Sequence, residues 1–132
     1  MFLFDTDTLS NLGKVHPSPR LLRQLATTPG AIYTSAITVA EIARGAHKSA
    51  TPPLVLKRLS VTLQALSGVL PFDRRAAEVY GELAAALEKQ GLPIGLADVQ
   101  IAAIALSRDR TVVTHNVTHF NRVGGLRVED WL

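Results

Sequence analysis

Apolar residues fall along this chain in two rhythms. Short unbroken runs bounded by polar or turn-forming residues predict strands at Phe2–Phe4, Ala31–Thr34, Val69–Phe72 and Thr111–Thr114, with a last edge strand at Leu126–Val128. Segments with an apolar residue every three or four positions predict helices between them. The first is Thr8–Lys14, closed by Gly13 and the prolines at 17 and 19. The second is Arg20–Ala26, led in by Pro19 and presenting Leu21, Leu22 and Leu25 on one face. A third helix crosses Ser35–Ala46 and ends near Gly45; in it Thr38 and Glu41 have the spacing of a capping box. Pro52 and Pro53 lead into Leu54–Leu66, which with the third helix predicts a projecting hairpin. Asp73 heads a long helix, Arg74–Gln90, stopped by Gly91. Leu96–Leu106 is apolar nearly all round and so predicts a buried helix. Asn116–Phe120 reads as a loop or short helix. Strands alternating with helices predict one α/β domain over residues 1–132, a three-layer α/β/α arrangement around a mainly parallel sheet.

Composition narrows the class without naming an activity. A hydrophobic content of 47% with 19% charged residues is that of a folded globular chain. No apolar run is long enough to cross a membrane, and the start of the chain lacks the basic lead and apolar stretch of a signal peptide. The absence of cysteine removes disulfides and thiolate metal sites and suits a cytoplasmic protein. The net charge of +3 is compatible with a polyanionic partner. Its basic residues group at Lys57-Arg58 and at Arg108, Arg110 and Arg122, away from the acidic and apolar motifs.

Those motifs carry the candidate chemistry. The first strand stops at Asp5 and Asp7, which puts carboxylates at the carboxyl edge of the sheet, where open α/β sheets bind ligands. Asp5 has no obvious structural role, because Asp7 or Thr6 is the better cap for the helix that follows. Asp7 is read equally well as a cap or as a supporting member of a site. Glu41 explains itself structurally as the third residue of a capping box, yet its neighbours are apolar and an acid partner exists at Asp5. Asp98 is the only ionisable residue of the buried helix. It suits the helix dipole there, but a buried acid is costly unless it is paired or bound to metal. Asn116, after the run TVVT, is either a turn residue or a site residue, and Thr114 could offer its hydroxyl to the same place. His115 and His119 are four apart, like a zinc pair, but no third ligand has sensible spacing. Carboxylates and an amide without sulfur or imidazole ligands point to a hard divalent cation, Mg²⁺ or Mn²⁺.

The stretches FDTDTLS, TVAEIARGA, LPIGLADVQIAAIAL and THNVTHFNRVGGLRVEDW, in that order, resemble the PIN-domain ribonucleases, and most closely the VapC toxins of type II toxin–antitoxin (VapBC) pairs. The resemblance implies that Asp5, Glu41 and Asp98 are the three acids that hold the metal, with Asn116 where many PIN domains carry a fourth acid. It departs from the family at Asp7, where asparagine is frequent. It further implies an RNA substrate cut with Mg²⁺ or Mn²⁺, a homodimer, and a VapB-type antitoxin that joins the toxin in a hetero-oligomer. Two alternatives stand beside it. One is a non-catalytic PIN-like module that only docks RNA or protein. The other is a phosphatase of the haloacid dehalogenase type, whose opening motif DTDTL imitates; such an enzyme needs its later motifs in a fixed order, and here Thr114 comes after Asp98.

Overall fold

The computed structural model describes residues 1–132. Five strands, β1 (Phe2–Phe4), β2 (Ile32–Ser35), β3 (Gly68–Leu70), β4 (Thr111–Val113) and β5 (Val128–Glu129), form one sheet in the order β3-β2-β1-β4-β5. Every neighbouring pair is parallel. Seven helices connect them: α1 (Thr6–Leu12), α2 (Pro19–Thr27), α3 (Ala36–His47), α4 (Pro52–Gln64), α5 (Arg74–Lys89), α6 (Leu96–Ser107) and α7 (Val117–Phe120). β1 is the middle strand, so its side chains are covered on both faces, which is why Phe2, Leu3 and Phe4 follow one another without a polar break.

Strand alternation divides the core in two. Leu3 and Val112 point to one face, where they pack with Ala76 of α5, Ile101, Ile104 and Ala105 of α6, and Phe120 of α7. Phe4 and Val113 point to the other, against Leu9 of α1, Leu21 of α2 and Leu59 of α4. The sheet therefore lies between two helical layers, the architecture expected of the sequence. Trp131 closes the second face, with its ring 5.0 Å from Phe2 and 5.4 Å, edge-on, from Phe4. The near-continuous apolarity of α6 is explained by burial: Val99, Ile101 through Ala105 and Ser107 are all buried.

Helix starts differ from the expectation in ways that bear on the site. α3 begins at Ala36, not after Thr38, because β2 runs into it without a linker. Ser35 is both the last residue of the strand and the cap, accepting the Thr38 N–H on its hydroxyl at 3.0 Å. The capping box of Thr38 and Glu41 is therefore not formed. α1 likewise follows β1 directly, and its cap is Asp5 itself, whose Oδ1 accepts the Thr8 N–H at 2.9 Å. Neither Thr6 nor Asp7 caps it. Asp73 caps α5 as expected, and Gly91, at φ +64°, follows its end.

Other departures are smaller. α3 continues past Gly45 to His47. α4 starts two residues early, with its prolines in the first turn, where a missing N–H costs nothing. The α3–α4 hairpin is packed on the body rather than projecting. Leu59 joins the core, and α4 lies so close to the end of α1 that a Cβ on Gly13 would meet the Thr62 hydroxyl at 3.1 Å. β3 and β5 are also shorter or shifted by a residue or two, as short edge strands are where the apolar run alone sets no boundary.

Strand order positions the site. The chain moves outward from β1 through β2 to β3, then crosses back to the other side of β1 to lay down β4 and β5. Connections leave β1 and β4 in opposite directions, which opens a crevice between their carboxyl ends. Asp5 follows β1 and Thr114 follows β4, so both stand at that crevice.

Candidate metal centre

Four helix N-termini face the crevice, and each brings one of the residues singled out above. Asp5 caps α1, Glu41 lies in the second turn of α3, Asp98 in the first turn of α6, and Asn116 immediately precedes α7 without a side-chain cap. Helix N-termini carry partial positive charge, which favours carboxylates gathered in front of them.

Asp5 is buried, with 3% of its surface exposed. Its two oxygens have separate donors: Oδ1 takes the Thr8 amide and Oδ2 takes the Thr114 hydroxyl at 2.5 Å. Thr114 in turn accepts the Asn116 N–H at 2.9 Å. The Asn116 side-chain amide donates to Asp98 Oδ2 at 3.3 Å and to His119 Nδ1 at 2.8 Å. One continuous set of hydrogen bonds thus runs from Asp5 through Thr114 and Asn116 to Asp98. On the other side of the crevice Glu41 Oε1 accepts the Thr6 hydroxyl at 2.5 Å.

The acids share an electrostatic field. Burial pushes the Asp5 carboxyl above its ordinary range; its bonds to Thr114 and Thr8 pull it back, and the charge of Asp7 adds to the rise. Asp98 is also raised, first by burial and then by the negative charge of Glu41, with Asp7 adding to it and His119 and Asn116 opposing. Glu41 and Asp7 thus act on Asp98 across the crevice, although they come from other helices. The bland explanation of Glu41 fails here, because it does not reach back to the start of its own helix. Asp98 does stand in the first turn of α6, where the dipole favours an acid, and α6 begins at Gly95 without a side-chain cap.

No three of the acidic or histidine side chains stand close enough together to hold an ion as they are placed. Each carboxylate is turned onto a hydroxyl or amide donor instead. The donor set nonetheless fits a hard divalent cation. Its acids offer hard carboxylate oxygens, and the repulsion from Glu41, which adds to burial in raising Asp98, is what a cation between the acids relieves. The two histidines of the HNVTH segment take different partners, His115 pairing with Asp130 at 3.0 Å while His119 stands at Asn116 and Asp98.

Two participants were missed in the sequence. Thr6 holds Glu41, and the threonine in DTDT was visible but had no signal to separate it from a helix-starting residue. His119 touches Asn116, a contact that depends on α7 being one helical turn rather than a loop.

Comparison with known proteins shows the family. Residues 2–126 match the PIN domain. The chain is 36% identical over 132 residues to the tRNA(fMet)-specific endonuclease VapC of Shigella flexneri, covering 99% of each. This chain is a PIN domain of the VapC family. The fold agrees. The crystal structure of DNA-bound VapBC from Salmonella typhimurium superposes with a TM-score of 0.91 at 34% identity, covering 99% of this chain and 98% of that one. VapBC2 from Rickettsia felis, bound to a DNA fragment from the promoter of that pair, gives the same score at 29% identity, again covering 99% and 98%. As a PIN domain of this kind the chain is no haloacid dehalogenase, and the likeness of DTDTL to that motif is coincidental. None of its helices is long and apolar enough to cross a membrane.

Proposed function

We propose that this chain is the toxin of a type II toxin–antitoxin pair, an endoribonuclease that hydrolyses RNA phosphodiester bonds and is neutralised by a VapB-type antitoxin. The relatives named as VapC endonucleases and the VapBC complexes with the same fold support that reading. It acts as one domain over residues 1–132, as a homodimer in the cytoplasm that becomes a hetero-oligomer with its antitoxin. The observation that carries the catalytic part is the hydrogen-bond chain from Asp5 through Thr114 and Asn116 to Asp98, with the charge of Glu41 acting on Asp98 across the crevice between β1 and β4.

Asp5 and Asp98 would hold Mg²⁺ or Mn²⁺ directly, and Glu41 would hold it directly or through water. Such an ion neutralises charge on the scissile phosphate and makes bound water more acidic. The chain's own groups do the rest. Thr114 and the Thr8 amide fix the Asp5 carboxylate, Thr6 fixes Glu41, and Asn116 fixes Asp98. The bonds to Asp5 and Asp98 oppose the rise that burial gives those two carboxyls, and all of them fix the orientation of the acids. Glu41, the most exposed of the three acids, is placed to accept a proton from the attacking water. Asp7 adds negative charge to the site without capping α1, so its supporting role is electrostatic.

The test is cleavage of a mixed total-RNA sample by the purified chain with Mg²⁺, with Mn²⁺ and with EDTA, beside Asp98→Asn. Defined fragments that need the metal and vanish in the variant support the proposal. No cleavage by folded, antitoxin-free protein under any metal would instead favour a PIN domain that only binds RNA or protein.

A further inference from the structure

A groove of about 400 Å³ opens beside the acids, between α3 and α6, and is lined by Ile37, Ala40, Glu41, Arg44, Leu96, Ala97 and Gln100. It is continuous with the candidate centre because Glu41 belongs to both. On α3 its residues share the face of Glu41, whereas on α6 they lie on a different face from Asp98. Arg44 lies three residues beyond Glu41 on α3, about 4.5 Å further along the axis. Leu96 and Gln100 flank Asp98 on α6, and being four apart they share a face.

Its chemistry is mixed in a particular way. Ile37 and Leu96 supply apolar walls, and Leu96 is 64% exposed, unusual for a leucine. Ala40 and Ala97 leave the floor shallow and flat. Gln100 presents an amide that bonds to no protein group, and Arg44 a guanidinium in no ion pair. Arg74, Arg108 and Arg127 are paired with Glu78, Asp73 and Asp109, Arg122 donates to the Pro93 carbonyl, and Arg110 lies 4.9 Å over the Tyr33 ring; Arg20, Arg23, Arg58 and Arg75 are as free as Arg44, but Arg44 alone of these lines the groove that holds Glu41. Arg44 is a free cation one turn from a cluster of like-charged acids. A polyanion passing the acids meets it next.

We propose that this groove is the subsite for the nucleotide adjoining the scissile phosphate of a single-stranded RNA. Arg44 holds the next phosphate, Leu96 and Ile37 cover the face of the base, and the Gln100 amide reads its edge. This rests on the ribonuclease reading and adds the part of the site that selects sequence. An apolar wall with a free amide suits an unstacked base, the form in which single strands are read. A second copy of the chain fits less well, since groove against groove would bring Arg44 onto its own like charge.

The experiment uses full-length protein and a panel of single-stranded RNA oligonucleotides that differ only at the nucleotide beside the cleaved bond. Cleavage is measured for the wild type, Gln100→Ala, Arg44→Ala and the groove-filling Ala40→Trp. Binding of the same panel is measured by fluorescence anisotropy with each change placed on Asp98→Asn. The proposal expects Gln100→Ala to flatten the nucleotide preference by about tenfold or more, in kcat/KM and in binding alike. Arg44→Ala should raise KM for every member of the panel and lower the salt slope of binding by about 1, leaving kcat near wild type. Ala40→Trp should weaken binding with the far-UV spectrum and sedimentation unchanged. Wild-type preference and affinity in all three variants overturn the subsite, as does a change of oligomeric state in Ala40→Trp, which would make the groove an interface between copies. If no RNA is cut but preference in binding still depends on Gln100, the ribonuclease reading fails, and with it the place beside a scissile bond, while the groove stands as a base-reading RNA site.

Discussion

The hydroxyl of Thr114 donates to Oδ2 of Asp5 at 2.5 Å, joining residues 109 positions apart in the chain at the carboxyl ends of adjacent strands. Both side chains are buried, and the same hydroxyl accepts the Asn116 N–H. Replacing Thr114 with valine keeps the shape and removes the donor. Asp5 then keeps a charge in the interior with one oxygen unpaired. We expect Thr114→Val to lose about 1–3 kcal/mol of stability in urea unfolding at neutral pH, and RNA cleavage with it. Unfolding at the wild-type midpoint would show that Asp5 does not depend on this bond.

Thr6 does for Glu41 what Thr114 does for Asp5, but at an exposed position. Thr6→Val should therefore leave the melting temperature close to wild type while reducing metal affinity or metal-dependent cleavage by about 10–100-fold, the usual cost of losing a group that orients a ligand. A titration with Mn²⁺ followed by cleavage rate separates the two effects.

The raised carboxyls of Asp5 and Asp98 give the metal-free protein a definite pH dependence. A folded-state value above the unfolded one means that the folded chain binds more protons through the interval between them. The stability from these two groups is complete below the unfolded value, near 3.8, and is lost as pH rises through their raised folded values. At neutral pH in EDTA, Asp98→Asn should therefore melt above the wild type, because it removes a charge that burial and Glu41 oppose. Added Mn²⁺ should reverse the order by stabilising the wild type through binding. An Asp98→Asn protein that melts below the wild type in EDTA would contradict this account of the site.

Ser35 ends β2 and caps α3, the helix that carries Glu41. Ser35→Ala should cost about 1 kcal/mol, read as a lower denaturant midpoint with unchanged slope.

The fold was legible because its strongest signals were also its most buried elements. The run at Phe2–Phe4 and the all-apolar α6 could only be interior, and the alternation of strands and helices required a parallel sheet. The helix starts on which the site depends were less legible. Asp5 is a site candidate in the sequence because Asp7 or Thr6 reads as the better cap, yet Asp5 is the residue that caps α1, and it stands at the crevice as well. Glu41 was obscured by a capping box that Ser35 makes unnecessary, since a strand running straight into a helix moves the cap three residues upstream. Spacing alone does not show such a junction. Nor does it show that Thr6 and Glu41, 35 residues apart, share a hydrogen bond, which arises only when α1 and α3 are laid side by side.

The central claim, that Asp5, Glu41 and Asp98 form one divalent metal site, is tested most directly by Mn²⁺ binding followed through the electron paramagnetic resonance of the free ion. Wild type, Asp5→Asn, Glu41→Gln and Asp98→Asn would be compared as folded proteins free of antitoxin. The account predicts Mn²⁺ binding by the wild type and a loss of affinity of about tenfold or more in each variant. Equal affinity in all four proteins would place the metal elsewhere and contradict it.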